Sequence, residues 1–157
     1  KILQNLCDLA YPDSLTNLPW MNFDESQSGV IGDWKFSRFE VCHNPSTDPH
    51  GYRLEHKDGF VLVHCGDSGP CQNIENLADE ADVMILDLGI PDFVDSPYHF
   101  SPKTLSEFAM QHPDTIFLAT HNYSNGIDID TDKIGGYPIV TLPDNVIQTE
   151  DGDSFSY

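Results

Sequence analysis

The sequence predicts a mixed α/β layer, on three observations. Three apolar runs rich in β-formers, Phe60–Cys65, Val83–Leu88 and Thr115–Thr120, are each bounded by chain breakers. Helical spacing lies between them, with Ile74, Leu77 and Ala78 on one face of 71–81 and a second helix over 102–111. A hairpin signal, Lys57-Asp58-Gly59, precedes the first run. Strand, hairpin, strand, helix, strand, helix, strand is the order of a sheet with helices packed on it.

Each element has its local reason. Residues 1–28 are irregular, with Leu3, Leu6 and Leu9 hinting at a short helix that Pro12 stops. Residues 30–42 read as strand, because Trp34, Phe36, Phe39 and Val41 partly alternate after the turn residues Gly29 and Gly32. His43 to Gly51 is a loop, held open by Pro45, Pro49 and their polar neighbours. Tyr52 to Glu55 is a short strand, and the near-continuous apolar run 60–65 predicts a strand buried on both faces. Gly66-Asp67-Ser68-Gly69-Pro70 is a turn. A Pro-rich loop leads from Leu88 to His99, where Ser101 is placed to cap the next helix and Pro102 to open it. Pro138 to Leu142 reads as a last strand, and the acidic tail from Gln148 as loosely held.

Composition excludes several functions. The chain has 157 residues, with 26 Asp and Glu against 7 Lys and Arg, a formal charge of −19. Gripping a polyanion requires clustered Lys and Arg, so long nucleic acid is not expected as a partner, and neither is an anionic membrane surface. No apolar run is long enough to span a bilayer and no secretory signal is visible, which points to the cytoplasm. Hydrophobic residues make up 39 %, enough for a core in a single domain. The chain starts at Lys1, so an upstream segment is expected. Four cysteines without a C-x-x-C pair are expected to be reduced and mostly buried.

Candidate chemistry lies at the strand ends. In an open α/β sheet, sites form beyond the C-terminal ends of strands. Three strands end in, or run straight into, a metal-capable residue: Val41-Cys42-His43, His64-Cys65-Gly66-Asp67 and Ala119-Thr120-His121. Imidazole and carboxylate suit zinc or iron. Each residue alone also has an ordinary reading, as a solvated loop histidine, a turn aspartate or an exposed strand end. A structural zinc site from Cys42-His43 and His64-Cys65 is disfavoured, because neighbours in a strand point to opposite faces. Asp128-Ile-Asp130-Thr-Asp132 looks like the start of a calcium loop, but Lys133 and Ile139 stand where glycine and glutamate are needed.

Taken in order, these pieces resemble the second half of the metallo-β-lactamase fold, in its ribonuclease Z-like and cyclic-nucleotide phosphodiesterase branch. The resemblance rests on His43, on Gly51-Tyr52-Arg53, on Gly66-Asp67-Ser68-Gly69, on His99 with its following helix, and on Leu118-Ala119-Thr120-His121. It covers roughly residues 30–125 of one domain. The implied fold is an αββα sandwich, of which this chain holds the C-terminal part. The implied site has His43 on one metal, Asp67 bridging two, His121 on the second, and His99 beside them contacting a phosphate or protonating a leaving group. The implied cofactors are two divalent ions, Zn2+ first, with Mn2+ or Fe as alternatives. The implied activity is metal-dependent hydrolysis of a phosphodiester or related small ester, with Asp67 and His99 catalytic. Hydrolysis of a carbonyl compound, as by a lactonase or β-lactamase, is one alternative; a non-catalytic acidic binding subunit is another. The family's His-x-His-x-Asp-His signature is absent, and no two of the seven histidines are separated by one residue. The missing ligands are therefore expected from an upstream segment or a second chain, and a homo-oligomer is compatible with this.

Overall fold

The computed structural model describes residues 27–122, 141–150 and 152–156. They form one seven-stranded sheet whose spatial order follows the chain: β1 (Ser28–Ile31), β2 (Trp34–Glu40), β3 (His50–His56), β4 (Val61–His64), β5 (Val83–Asp87), β6 (Ile116–Thr120) and β7 (Val146–Gln148). Two helices, α1 (Gln72–Ala78) and α2 (Pro102–Gln111), follow β4 and β5. Strands β1 to β4 pair antiparallel, and β4 to β7 pair parallel.

The expected strand 30–42 is in fact a hairpin. Gly32 and Asp33 form a two-residue turn, with Gly32 at φ 59° and Ile31 opposite Trp34. Glycine is required there because the turn needs a left-handed backbone. The Lys57-Asp58-Gly59 turn forms as expected, with the Gly59 N–H donating to the His56 carbonyl at 2.9 Å. Helix α1 is shorter than the expected 71–81. Helix α2 spans 102–111 and begins with a capping box, in which Ser101 and Thr104 each accept from the other's backbone N–H.

Both helices lie on one face of the sheet. Parallel neighbours β4, β5 and β6 advance in one direction, and right-handed crossovers then put α1 and α2 on the same side. The core is built there, from Val63 and Cys65, Met84, Leu86 and Leu88, Phe117 and Ala119 of the sheet region against Ile74, Ala78, Leu105, Phe108 and Ala109 of the helices. The expectation that β4 is buried on both faces is therefore corrected. Val61 and Val63 are buried, whereas Leu62, Ile85 and Leu118, pointing the other way, are only partly covered.

The last strand is also corrected. Of the expected 138–142 strand, residues 138–140 lie outside the described residues, and Thr141 and Leu142 are not in strand. The sheet is closed instead by Val146–Gln148, where the acidic tail had been expected to begin. Asn145 anchors it: its side-chain amide donates to the carbonyls of Ala109, His112 and Thr115 at 3.1, 3.1 and 3.0 Å. Among the described cysteines, only Cys65 is buried; Cys42 is exposed, Cys71 is intermediate, and all three are free thiols. Cys7 and the 128–132 acidic loop lie outside the described residues. No helix among the described residues is long and apolar enough to cross a membrane.

Candidate metal centre

The topology brings the candidate residues to one end of the sheet. Strands β4, β5 and β6 are parallel, so their C-terminal ends coincide. Strand β2 is antiparallel to β3, which is antiparallel to β4, so β2 also ends there. Asp67 follows β4, Asp87 ends β5, His99 follows in the β5–α2 loop, His121 follows β6 and His43 follows β2.

Three loops are then stitched together by backbone contacts. Cys42 forms an isolated antiparallel bridge with Gly69, whose N–H donates to the Cys42 carbonyl at 2.9 Å. The buried Ser68 hydroxyl accepts from the Cys42 N–H at 3.2 Å. These bonds hold the His43 loop against the Asp67 turn. A Cβ on Gly69 would stand 2.0 Å from the Pro97 carbonyl oxygen, so the Asp67 turn also packs directly on the loop that carries His99. Only glycine permits this approach.

The side chains meet accordingly. His121 Nδ1 is 3.3 Å from Asp67 Oδ1 and 4.0 Å from Asp87 Oδ2. The His99 ring centroid lies 5.1 Å from that of His43 and 5.6 Å from that of His121. All four residues singled out from the sequence thus fall into one cluster. His121 reaches it from a left-handed backbone, φ 54°, at the point where the chain leaves β6. Such a conformation is uncommon for histidine and is held by the surrounding structure.

A fifth member, Asp87, was missed from the sequence. Its side chain is 1 % exposed. Its Oδ1 accepts from the Phe100 N–H at 3.3 Å, and its Oδ2 contacts His99 Nδ1. Burial raises the Asp87 carboxyl above the ordinary range, against the opposing pull of His99 and the Phe100 N–H. Gly89 makes room for this pair, since a Cβ there would lie 2.7 Å from His99 Nδ1 and 2.9 Å from Asp87 Oδ2. The available signal was the same one that marked the others: Val83-Met84-Ile85-Leu86-Asp87 is an apolar strand ending in a metal-capable residue.

Two donor sets can be drawn. Ligand-capable atoms of Asp87, His99 and His121 lie within 4.8 Å of one another. Asp87 Oδ1 accepts from the Phe100 N–H and Oδ2 pairs with His99 Nδ1, so those two meet without a cation, while His121 Nδ1 stands 4.0 Å from Asp87 Oδ2. The second set is the one expected from the sequence, Asp67, His121 and His43, in which His121 Nδ1 lies 3.3 Å from Asp67 Oδ1. Two imidazoles and a carboxylate fit a zinc-like ion in kind, but they are fewer donors than two closed sites need.

No protein-family model matches the sequence, and no curated protein does. Solved structures do match the fold. A diphosphatase of the PhnP family aligns with 98 % of this chain and 55 % of its own, with a TM-score of 0.62 and 15 % identity. An isothiocyanate hydrolase from Delia radicum gut bacteria aligns with 84 % of this chain and 57 % of its own, with a TM-score of 0.59 and 12 % identity. The metallo-β-lactamase fold protein YhfI from Bacillus subtilis aligns with 63 % of this chain and 40 % of its own, with a TM-score of 0.53 and 18 % identity. The fold is the metallo-β-lactamase fold, as the sequence resemblance implied. The chain spans 40 % to 57 % of the length of these three proteins.

Proposed function

We propose that this chain carries part of the active site of a metal-dependent hydrolase acting on a phosphodiester or related small ester. The observation that supports this best is the convergence of His43, Asp67, His99 and His121 at one end of the sheet, with His99 backed by the buried Asp87. His43, Asp67 and His121 would hold divalent metal, Asp67 between two ions, with Zn2+ the first choice and Mn2+ or Fe the alternatives. The remaining donors would come from an upstream segment or a second chain. Bound divalent ions supply Lewis-acid polarisation of the scissile group and acidify the attacking water.

The protein's own residues supply the proton chemistry. Asp87 takes His99 Nδ1, which leaves Nε2 to give a proton to the departing oxygen. Burial keeps Asp87 from turning to solvent, and its charge stabilises the imidazolium before the proton is given up. The diphosphatase among the fold neighbours favours phosphorus chemistry, while the isothiocyanate hydrolase keeps a carbon centre open as the second reading.

The full-length protein is expected to purify with about two equivalents of transition metal, as a dinuclear site requires. Asp67→Ala is expected to lose both the metal and turnover of bis-p-nitrophenyl phosphate. Metal-free full-length protein would instead support a non-catalytic binding subunit. Turnover of a lactone without turnover of the phosphodiester would move the reading to carbonyl hydrolysis.

A further inference from the structure

Beside the proposed centre lies a cleft of about 430 Å³, lined among others by His43, Tyr98, Pro45, Pro49, Glu40 and Asp48. Its size is that of a small-molecule subsite. Resting on the hydrolase reading above, we propose that this cleft receives one arm of the substrate, that the arm is an uncharged ring, and that Tyr98 is the residue that selects it.

Three observations carry this. The first is position: the Tyr98 ring centroid is 5.9 Å from that of His43, so a group seated against Tyr98 stays attached to an ester at the centre. The second is fixity. Tyr98 is 40 % exposed, yet its backbone is clamped. Its N–H donates to Ser96 Oγ at 3.2 Å, Pro97 is pinned by the close approach of Gly69, and His99 is held by Asp87. A half-exposed aromatic on a fixed backbone offers a flat face at little entropic cost. Pro45, Pro49 and Pro97 add rigid apolar surface around it.

The third observation is charge. Glu40 and Asp48 line the cleft. The nearby Arg38 guanidinium is already paired through Nη2, which lies 2.8 Å from both Asp48 Oδ2 and His50 Nδ1, while its buried Nε has no partner among the described residues. An anionic arm would therefore meet Glu40, and a cation already shared with Asp48, in a chain of net charge −19. An uncharged aryl or heteroaryl arm meets no such opposition and gains ring contacts with Tyr98.

The test uses phosphonate monoesters whose methoxide is a poor leaving group, on the full-length protein, read by calorimetry. Methyl phenylphosphonate is expected to bind about tenfold more tightly than methyl methylphosphonate, the size of one good aromatic contact. Tyr98→Ala is expected to bring the two within about twofold, and Tyr98→Phe to keep the preference. Methyl (4-carboxyphenyl)phosphonate is expected to bind more weakly than the phenyl probe. No phenyl preference in the wild type, no binding of either probe, or a preference unchanged in Tyr98→Ala would overturn the proposal. Turnover of bis-p-nitrophenyl phosphate is followed in parallel. A phenyl preference without turnover sinks the hydrolase reading and leaves the subsite; turnover without the preference does the reverse.

Discussion

Asp87 and His99 separate positioning from metal binding. Asp87→Asn preserves size but removes the charge that backs His99, and it leaves Asp67, His43 and His121 untouched. If Asp87 acts through His99, kcat for bis-p-nitrophenyl phosphate is expected to fall by roughly 10²-fold or more, the usual weight of a positioned acid or base, while KM and metal content stay close to wild type. If Asp87, His99 and His121 were instead the ligands, the same substitution would release metal in proportion to the lost activity. Metal analysis alongside the kinetics distinguishes the two. The strand-end signal at Asp87 was present in the sequence but was passed over, because an aspartate there also reads as an ordinary strand end until its oxygens are seen to be committed to Phe100 and His99.

At the scale of elements, local rules carried the reading where they acted alone. The α2 capping box, the Lys57-Asp58-Gly59 turn and the three parallel strands follow from caps, turn chemistry and apolar runs. The convergence of His43, Asp67, His99 and His121 was legible too, because each stands at or beyond a strand end and the strand directions follow from the connections. What was not legible depends on contacts far apart in sequence. Burial of only one face of β4 comes from both helices lying on the same side. The β1–β2 hairpin was read as one strand, although Gly32-Asp33 is itself a turn signal. Strand β7 is three residues long and has little pattern of its own; its place is fixed from outside, by Asn145 reaching across 30 residues or more to the end of α2 and the start of β6. Asn145→Ala is expected to destabilise the fold by about 2 kcal/mol, because three partly buried carbonyls each lose a donor at once, the Ala109 and His112 carbonyls keeping only a backbone N–H. Urea unfolding followed by circular dichroism measures this. A change below about 0.5 kcal/mol, the range of an ordinary surface substitution, would show that water replaces the amide and that β7 is held by its ladder alone.

On the scale of the whole molecule, charge decides the response to salt. Twenty-six acids face seven bases, so even complete pairing would leave nineteen carboxylates without a partner of opposite sign. The pairs that form are modest: Arg38–Asp48 and Lys57–Asp33 involve well-exposed carboxylates, and such pairs are worth about 0–1 kcal/mol each. Salt weakens these attractions and the self-repulsion together, but repulsion involves far more charges and extends over the whole surface. Raising NaCl from about 10 mM, where the Debye length is about 30 Å, to about 1 M, where it is about 3 Å, is therefore expected to stabilise the fold. A gain of about 1 kcal/mol would appear as a rise in Tm of about 2–4 °C for a chain of this size. Thermal melts in NaCl and in KCl are expected to agree, since screening does not distinguish the two cations. A fall in Tm with salt would mean that the few ion pairs outweigh the repulsion. The same excess of negative charge bears on the substrate, because a long polyanion would be repelled over most of the surface before reaching His43 and His121. A small ester bearing a single charge and an uncharged ring meets that field least.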